Sequence, residues 1–187
     1  MRTARPSHLL AFLPLGAAVA LSLSYWPGLV TYDSVRQYDQ ALSGAFDDWH
    51  PPMMEGLWRL ILPLWPGPAP MLLLQLGLYA AGMAGLIAWA LRRGRPGVAM
   101  GLGLCALLPL SVALMGEVLK DCLMAGALTA AVALMLLSQE SRSVMPRAGA
   151  AALVFLAATL RFNAFLAGVP ILLLALGPAV LVSRLRM

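Results

Sequence analysis

The sequence predicts an all-α protein: a polytopic bundle of about six transmembrane helices, with an outer loop carrying short interfacial helices. Three observations predict it. The 187 residues are 61% hydrophobic and only 11% charged, less than half the charged share of about a quarter found in soluble domains. Mean hydropathy is +0.83. The apolar residues come in continuous runs close to the ~20 residues a helix needs to cross a bilayer, not in the alternation of a transmembrane barrel.

The elements follow in order. Arg2 and Arg5 precede the first run and place the N-terminus in the cytoplasm. That run, from 9 to about 26, is too long for a cleavable signal peptide and lacks a small-residue cleavage site. It ends in Tyr25 and Trp26, an interfacial aromatic pair, and at Pro27-Gly28. Residues 34–42 read as a short amphipathic helix, with Val35, Tyr38 and Leu42 on one face. Pro51-Pro52 opens a second short helix over 53–65, interrupted by Glu55 and Arg59 and too short to span, so it lies at the outer interface. Further runs cover 71–91, 98–115 with a bend near Pro109, 122–137, 148–160 and 164–182. The chain forms one membrane-embedded domain, with 27–70 as its outer loop.

Charge supports this topology. Arg2, Arg5, Arg92, Arg93, Arg95, Arg142, Arg147, Arg184 and Arg186 fall on the cytoplasmic side, while every acid except Glu140 falls outside. If 53–65 spanned, the arginines at 92–95 would land outside, against the positive-inside rule. The net charge of +5 therefore reads as a topology signal, not as a nucleic-acid footprint. Cys105 and Cys122 have neither zinc nor redox-motif spacing and read as small membrane residues.

Five of the eight acids, Asp33, Asp39, Asp47, Asp48 and Glu55, fall in the first outer loop together with His50. The topology brings three separated pieces to one interface: the loop from 33 to 59, Glu117-Lys120-Asp121, and Arg161-Asn163. Charges beside hydrocarbon are costly and mark functional sites or water-filled cavities. Lys and Arg suit phosphate, and a carboxylate suits proton transfer or a divalent cation. Each residue also has a bland role. Asp33 or Ser34 would cap a helix. Glu117 and Lys120 would pair across a turn. Arg161 would snorkel to headgroups. Asp47-Asp48 would be a solvated turn, His50 a loop hydrogen bonder, and Trp26, Trp49, Trp58 and Trp65 interface anchors.

These pieces together resemble the GT-C superfamily of membrane glycosyltransferases, which includes protein O-mannosyltransferases and the aminoarabinose transferases acting on lipid A. Asp33, in Thr31-Tyr32-Asp33-Ser34, resembles the first-loop acid of that group. Trp49-His50-Pro51-Pro52 resembles its (H/K)-P-P segment, Lys120-Asp121 a later outer-loop pair, and Arg161-Phe162-Asn163 an Arg-x-Asn at a helix end. The likeness runs from Tyr25 to about Pro170. It implies a polyprenyl-phosphate-linked sugar as donor, a lipid or glycan as acceptor, and an active loop on the outer face of a bacterial inner membrane. Asp33 would be the catalytic base. His50, Arg59, Lys120, Asp121, Arg161 and Asn163 would bind substrate. No nucleotide cofactor is expected. Asp33 is followed by Ser34, where many members have a paired acid, which leaves the metal open. Members are usually longer, so the chain is expected to be an N-terminal portion or a minimal form. The competing expectation is a non-enzymatic membrane subunit, a scaffold or transporter-like protein. Transporters hold polar groups near the bilayer midplane, whereas here the charges stand at the ends of the spans. A membrane hydrolase lacks a recognisable Ser-His-acid set.

Overall fold

The computed structural model describes residues 9–49, 51–139, 144–161 and 163–175, and these are all-α. The helices are α1 (Leu13–Leu23), α2 (Tyr32–Ser43), α3 (Met53–Ile61), α4 (Ala69–Arg92), α5 (Pro96–Ala106), α6 (Pro109–Gly116), α7 (Lys120–Ser138), α8 (Met145–Leu160) and α9 (Ala164–Ala175). Among the described residues the only β-type pairing is an isolated parallel bridge between Leu29 and Glu117.

Two helices, α4 and α7, are long and apolar enough to cross a membrane. The α5–α6 pair, bent by 53°, makes up to three such spans among the described residues. Pro109 causes the break: proline lacks an N–H and pushes its predecessor out of the helical region, and Leu108 is extended at φ −56°, ψ 137°. The remaining apolar helices α1, α8 and α9 hold 11, 16 and 12 residues, below the ~20 of a full crossing. The last expected run, 164–182, lies partly outside the described residues, as do Arg2, Arg5, Glu140, Arg142, Arg184 and Arg186.

Small residues set the packing. A Cβ on Gly82 would sit 2.5 Å from the Ala130 backbone nitrogen, and one on Gly126 would sit 2.8 Å from the Gln75 carbonyl oxygen. The backbones of α4 and α7 thus touch where side chains are absent, the usual device for helices that gain little from burying apolar surface in lipid. The register (75 by 126, 82 by 130, 85 by 133) makes α4 and α7 parallel. The α5–α6 pair is the return leg between them. Helix α8 runs back, with Gly149 near Leu134 at one end and Arg161 beside Asp121 at the other.

The short helices α2 and α3 cap one end of this bundle over a cluster formed by Ala41, Met54, Trp58, Met71, Leu72, Val118, Leu123 and Leu160. The buried positions of α2 are Ser34, Gln37, Gln40 and Ala41, while Val35 and Leu42, expected on one face, are both exposed. One sequence expectation needs correction here. Trp58 is no interface anchor: it is fully buried, packs against Tyr38 with centroids 5.0 Å apart, and its Nε1–H donates to the Gly67 carbonyl at 3.0 Å. Bulk and a satisfied N–H make it a core residue.

Candidate functional site

The site is built on the Leu29–Glu117 bridge. Leu29 N–H donates to the Gly116 carbonyl at 3.1 Å, and Val118 N–H to the Leu29 carbonyl at 2.8 Å. Gly28 makes the approach possible. Its φ is +116°, and a Cβ there would stand 2.6 Å from Val118 Cγ2, so a larger residue is both strained and blocked. From the other side, Gln75 Nε2 donates to the carbonyls of Met115 and Glu117 at 3.2 and 2.6 Å.

Both chains leaving this bridge start helices. On the α2 side, Thr31 is the N-cap, in a capping box with Ser34. This corrects the expectation that Asp33 or Ser34 caps: Ser34 is the reciprocal partner of Thr31. Its hydroxyl also donates to the Val118 carbonyl. A hydroxyl has one proton, so the 3.0 Å contact between the two hydroxyls runs from Thr31 to Ser34. Asp33, relieved of capping, projects from the first turn of α2. Lys120 and Asp121 stand in the first turn of α7, whose N-cap Leu119 offers no side-chain bond. That helix end therefore directs its partial positive charge at the site.

Lys120 Nζ lies 3.5 Å from Asp33 Oδ2, with 7% of the lysine side chain exposed and 45% of the aspartate. Arg161 Nη1 donates to Asp121 Oδ1. Asp33, Trp49, Pro51, Lys120, Asp121, Arg161 and Asn163 line a single cavity of about 350 Å³. Five of the seven residues singled out from sequence thus meet there: Asp33, Lys120, Asp121, Arg161 and Asn163. Among the described residues its formal charges balance, two carboxylates against two cations. Among the described residues no three His, Cys, Asp or Glu side chains gather as a metal site.

Arg59 is elsewhere. Its Nη1 donates to the Ala41 carbonyl at 3.0 Å, where a cation satisfies the end of α2. It also borders an apolar groove of about 740 Å³ between α3 and α8, lined by Phe46, Pro51, Pro52, Met53, Gly56, Leu57, Leu60, Ala158 and Thr159. The groove and the charged cavity share Pro51. His50 lies outside the described residues.

Sequence reasoning missed Trp49 as a cavity residue, reading it as an anchor. Its position just before His50-Pro51-Pro52 was the available signal. Asp47 Oδ1 accepts the Trp49 backbone N–H at 3.1 Å, and Asp47 Oδ2 accepts from Arg36 Nε at 3.1 Å. The Arg36 guanidinium holds the Asp47 carboxyl below its ordinary pKa, and Asp47 in turn raises that of Arg36. Arg36 also lies 5.7 Å from the Trp49 ring centroid, within cation–π range.

No protein-family model, curated protein or solved structure matches this chain.

Proposed function

We propose that the chain is a GT-C-like glycosyltransferase unit that moves a sugar from a polyprenyl-phosphate donor to a lipid or glycan acceptor at the outer face of a bacterial inner membrane. One observation carries this reading. A carboxylate and two cations from three distant segments line one cavity, which adjoins an apolar groove. An amphiphile with an anionic head fits that pair of surfaces: phosphate at Lys120 and Arg161, isoprenoid chain along Met53, Leu57 and Leu60. Six legs of alternating direction, taken as six crossings, leave the arginines of 92–95 in the cytoplasm and the cavity outside.

In this mechanism the donor phosphate competes with Asp33 for the Lys120 ammonium and leaves the carboxylate open to the acceptor. The acceptor hydroxyl gives its proton to Asp33 as its oxygen bonds to the anomeric carbon. The bond from that carbon to the phosphate oxygen breaks, and the electron pair stays on the polyprenyl phosphate. Lys120 and Arg161 then stabilise the leaving phosphate.

A second reading, a non-enzymatic subunit, is favoured by the pairing of both cations with carboxylates. Sugar transfer from labelled polyprenyl-phosphate sugars, measured in membranes at matched protein level, separates the two. Asp33→Asn is expected to lower the rate about 10²–10⁴-fold, the range of a general base. An unchanged rate would falsify the base assignment.

A further inference from the structure

We infer that Trp49 is a sugar-stacking platform: its indole supports the ring of the sugar whose phosphate sits at Lys120 and Arg161. This rests on the transferase reading above and adds a specificity residue to it. Trp49 lines the same cavity as Asp33, Lys120, Asp121, Arg161 and Asn163, yet it is 71% exposed. A large aromatic residue left so open has not been placed there by burial. Nor is it loosely held. Asp47 fixes its backbone N–H, Arg36 stands over its ring, and Arg36 and Asp47 are paired with each other.

A sugar ring has two kinds of surface, an apolar C–H face and an edge of hydroxyls. The negative face of an indole suits the first. Carboxylates and an amide suit the second, and Asp121 and Asn163 supply them within the same walls. An interface anchor would need only the lipid boundary and would not need these polar neighbours.

The test uses the full chain in lipid nanodiscs, labelled with 5-fluorotryptophan. The Trp49 resonance is assigned by its loss in Trp49→Phe, and the probes are glucose 1-phosphate and inorganic phosphate. Glucose 1-phosphate is expected to move the Trp49 resonance saturably. Trp49→Leu is expected to weaken its binding about tenfold, the upper end of an aromatic contact, and to leave phosphate binding unchanged, while Trp49→Phe retains most of the affinity. The inference is overturned if wild type does not bind the sugar phosphate, if Trp49→Leu leaves that binding intact, or if it weakens both probes equally. Failure here with a damaged Asp33→Asn enzyme leaves transfer standing. Trp49-dependent binding with a fully active Asp33→Asn protein sinks transfer alone.

Discussion

Lys120 Nζ stands 3.5 Å from Asp33 Oδ2, the lysine almost entirely enclosed and the aspartate nearly half in solvent. The pair is asymmetric, so its two halves are not equivalent on substitution. Asp33→Asn removes a counter-charge from beside an enclosed ammonium, whereas Lys120→Met removes the enclosed charge itself. Losing one partner of an enclosed pair is costlier than replacing the charge by an apolar group. Asp33→Asn should therefore destabilise by about 1–2 kcal/mol, and Lys120→Met by less. Thermal unfolding in detergent or nanodiscs measures both, and the reverse order would refute the asymmetry.

Trp58 and Trp49 sit on neighbouring segments and should behave oppositely. Trp58→Ala empties the centre of the cluster under α2 and α3 and should cost about 3–5 kcal/mol. Trp58→Phe keeps the ring but strands the Gly67 carbonyl, for about 1–2 kcal/mol. Trp49→Ala, at an exposed site, should fall within about 0.5 kcal/mol. Denaturation of the three variants checks the contrast.

Two glycines of α4 give a steric control. Gly82→Ala drives a methyl into the Ala130 and Thr129 backbone of α7 and should destabilise by about 1–3 kcal/mol. Gly77→Ala meets nothing within 4 Å and should be neutral or stabilising by up to about 1 kcal/mol. If equilibrium unfolding finds the two alike, α4 and α7 are not in backbone contact there.

The Arg36–Asp47 pair predicts a pH response. The Asp47 carboxyl is depressed below its ordinary 3.8, so its contribution is fully present above 3.8 and is lost as pH falls through the lowered value. The Trp49 fluorine resonance should carry a step below pH 3.8. Asp47→Asn should abolish that step. A step that persists in Asp47→Asn would show that it does not report the pair.

How much of this was legible in the sequence depends on the range of the forces involved. The helical class, the apolar runs, the break at Pro109, the short helices between the first two apolar runs and the crowding of acids between 33 and 55 follow from composition and local periodicity. They are properties of consecutive residues. Local pattern gave the apolar stripe of α2 but not which face turns inward: Ser34 is held inward by the Val118 carbonyl and Ala41 by the Trp58 cluster. It assigned Trp58 to the membrane surface, where the structure buries it, and Arg59 to the site, whereas its guanidinium lies at the Ala41 carbonyl.

The sequence alone determined that charge would collect at the ends of an apolar bundle, the acids at one of them, because ionised groups are expelled from hydrocarbon. Only the tertiary structure decided which charges face one another. The Leu29–Glu117 bridge sets Asp33 beside Lys120, and the antiparallel return of α8 sets Arg161 beside Asp121. Such pairings depend on the relative placement of helices far apart in the chain. That placement is fixed by close approach at Gly28, Gly82 and Gly126, which leaves no periodic trace in the residues it brings together.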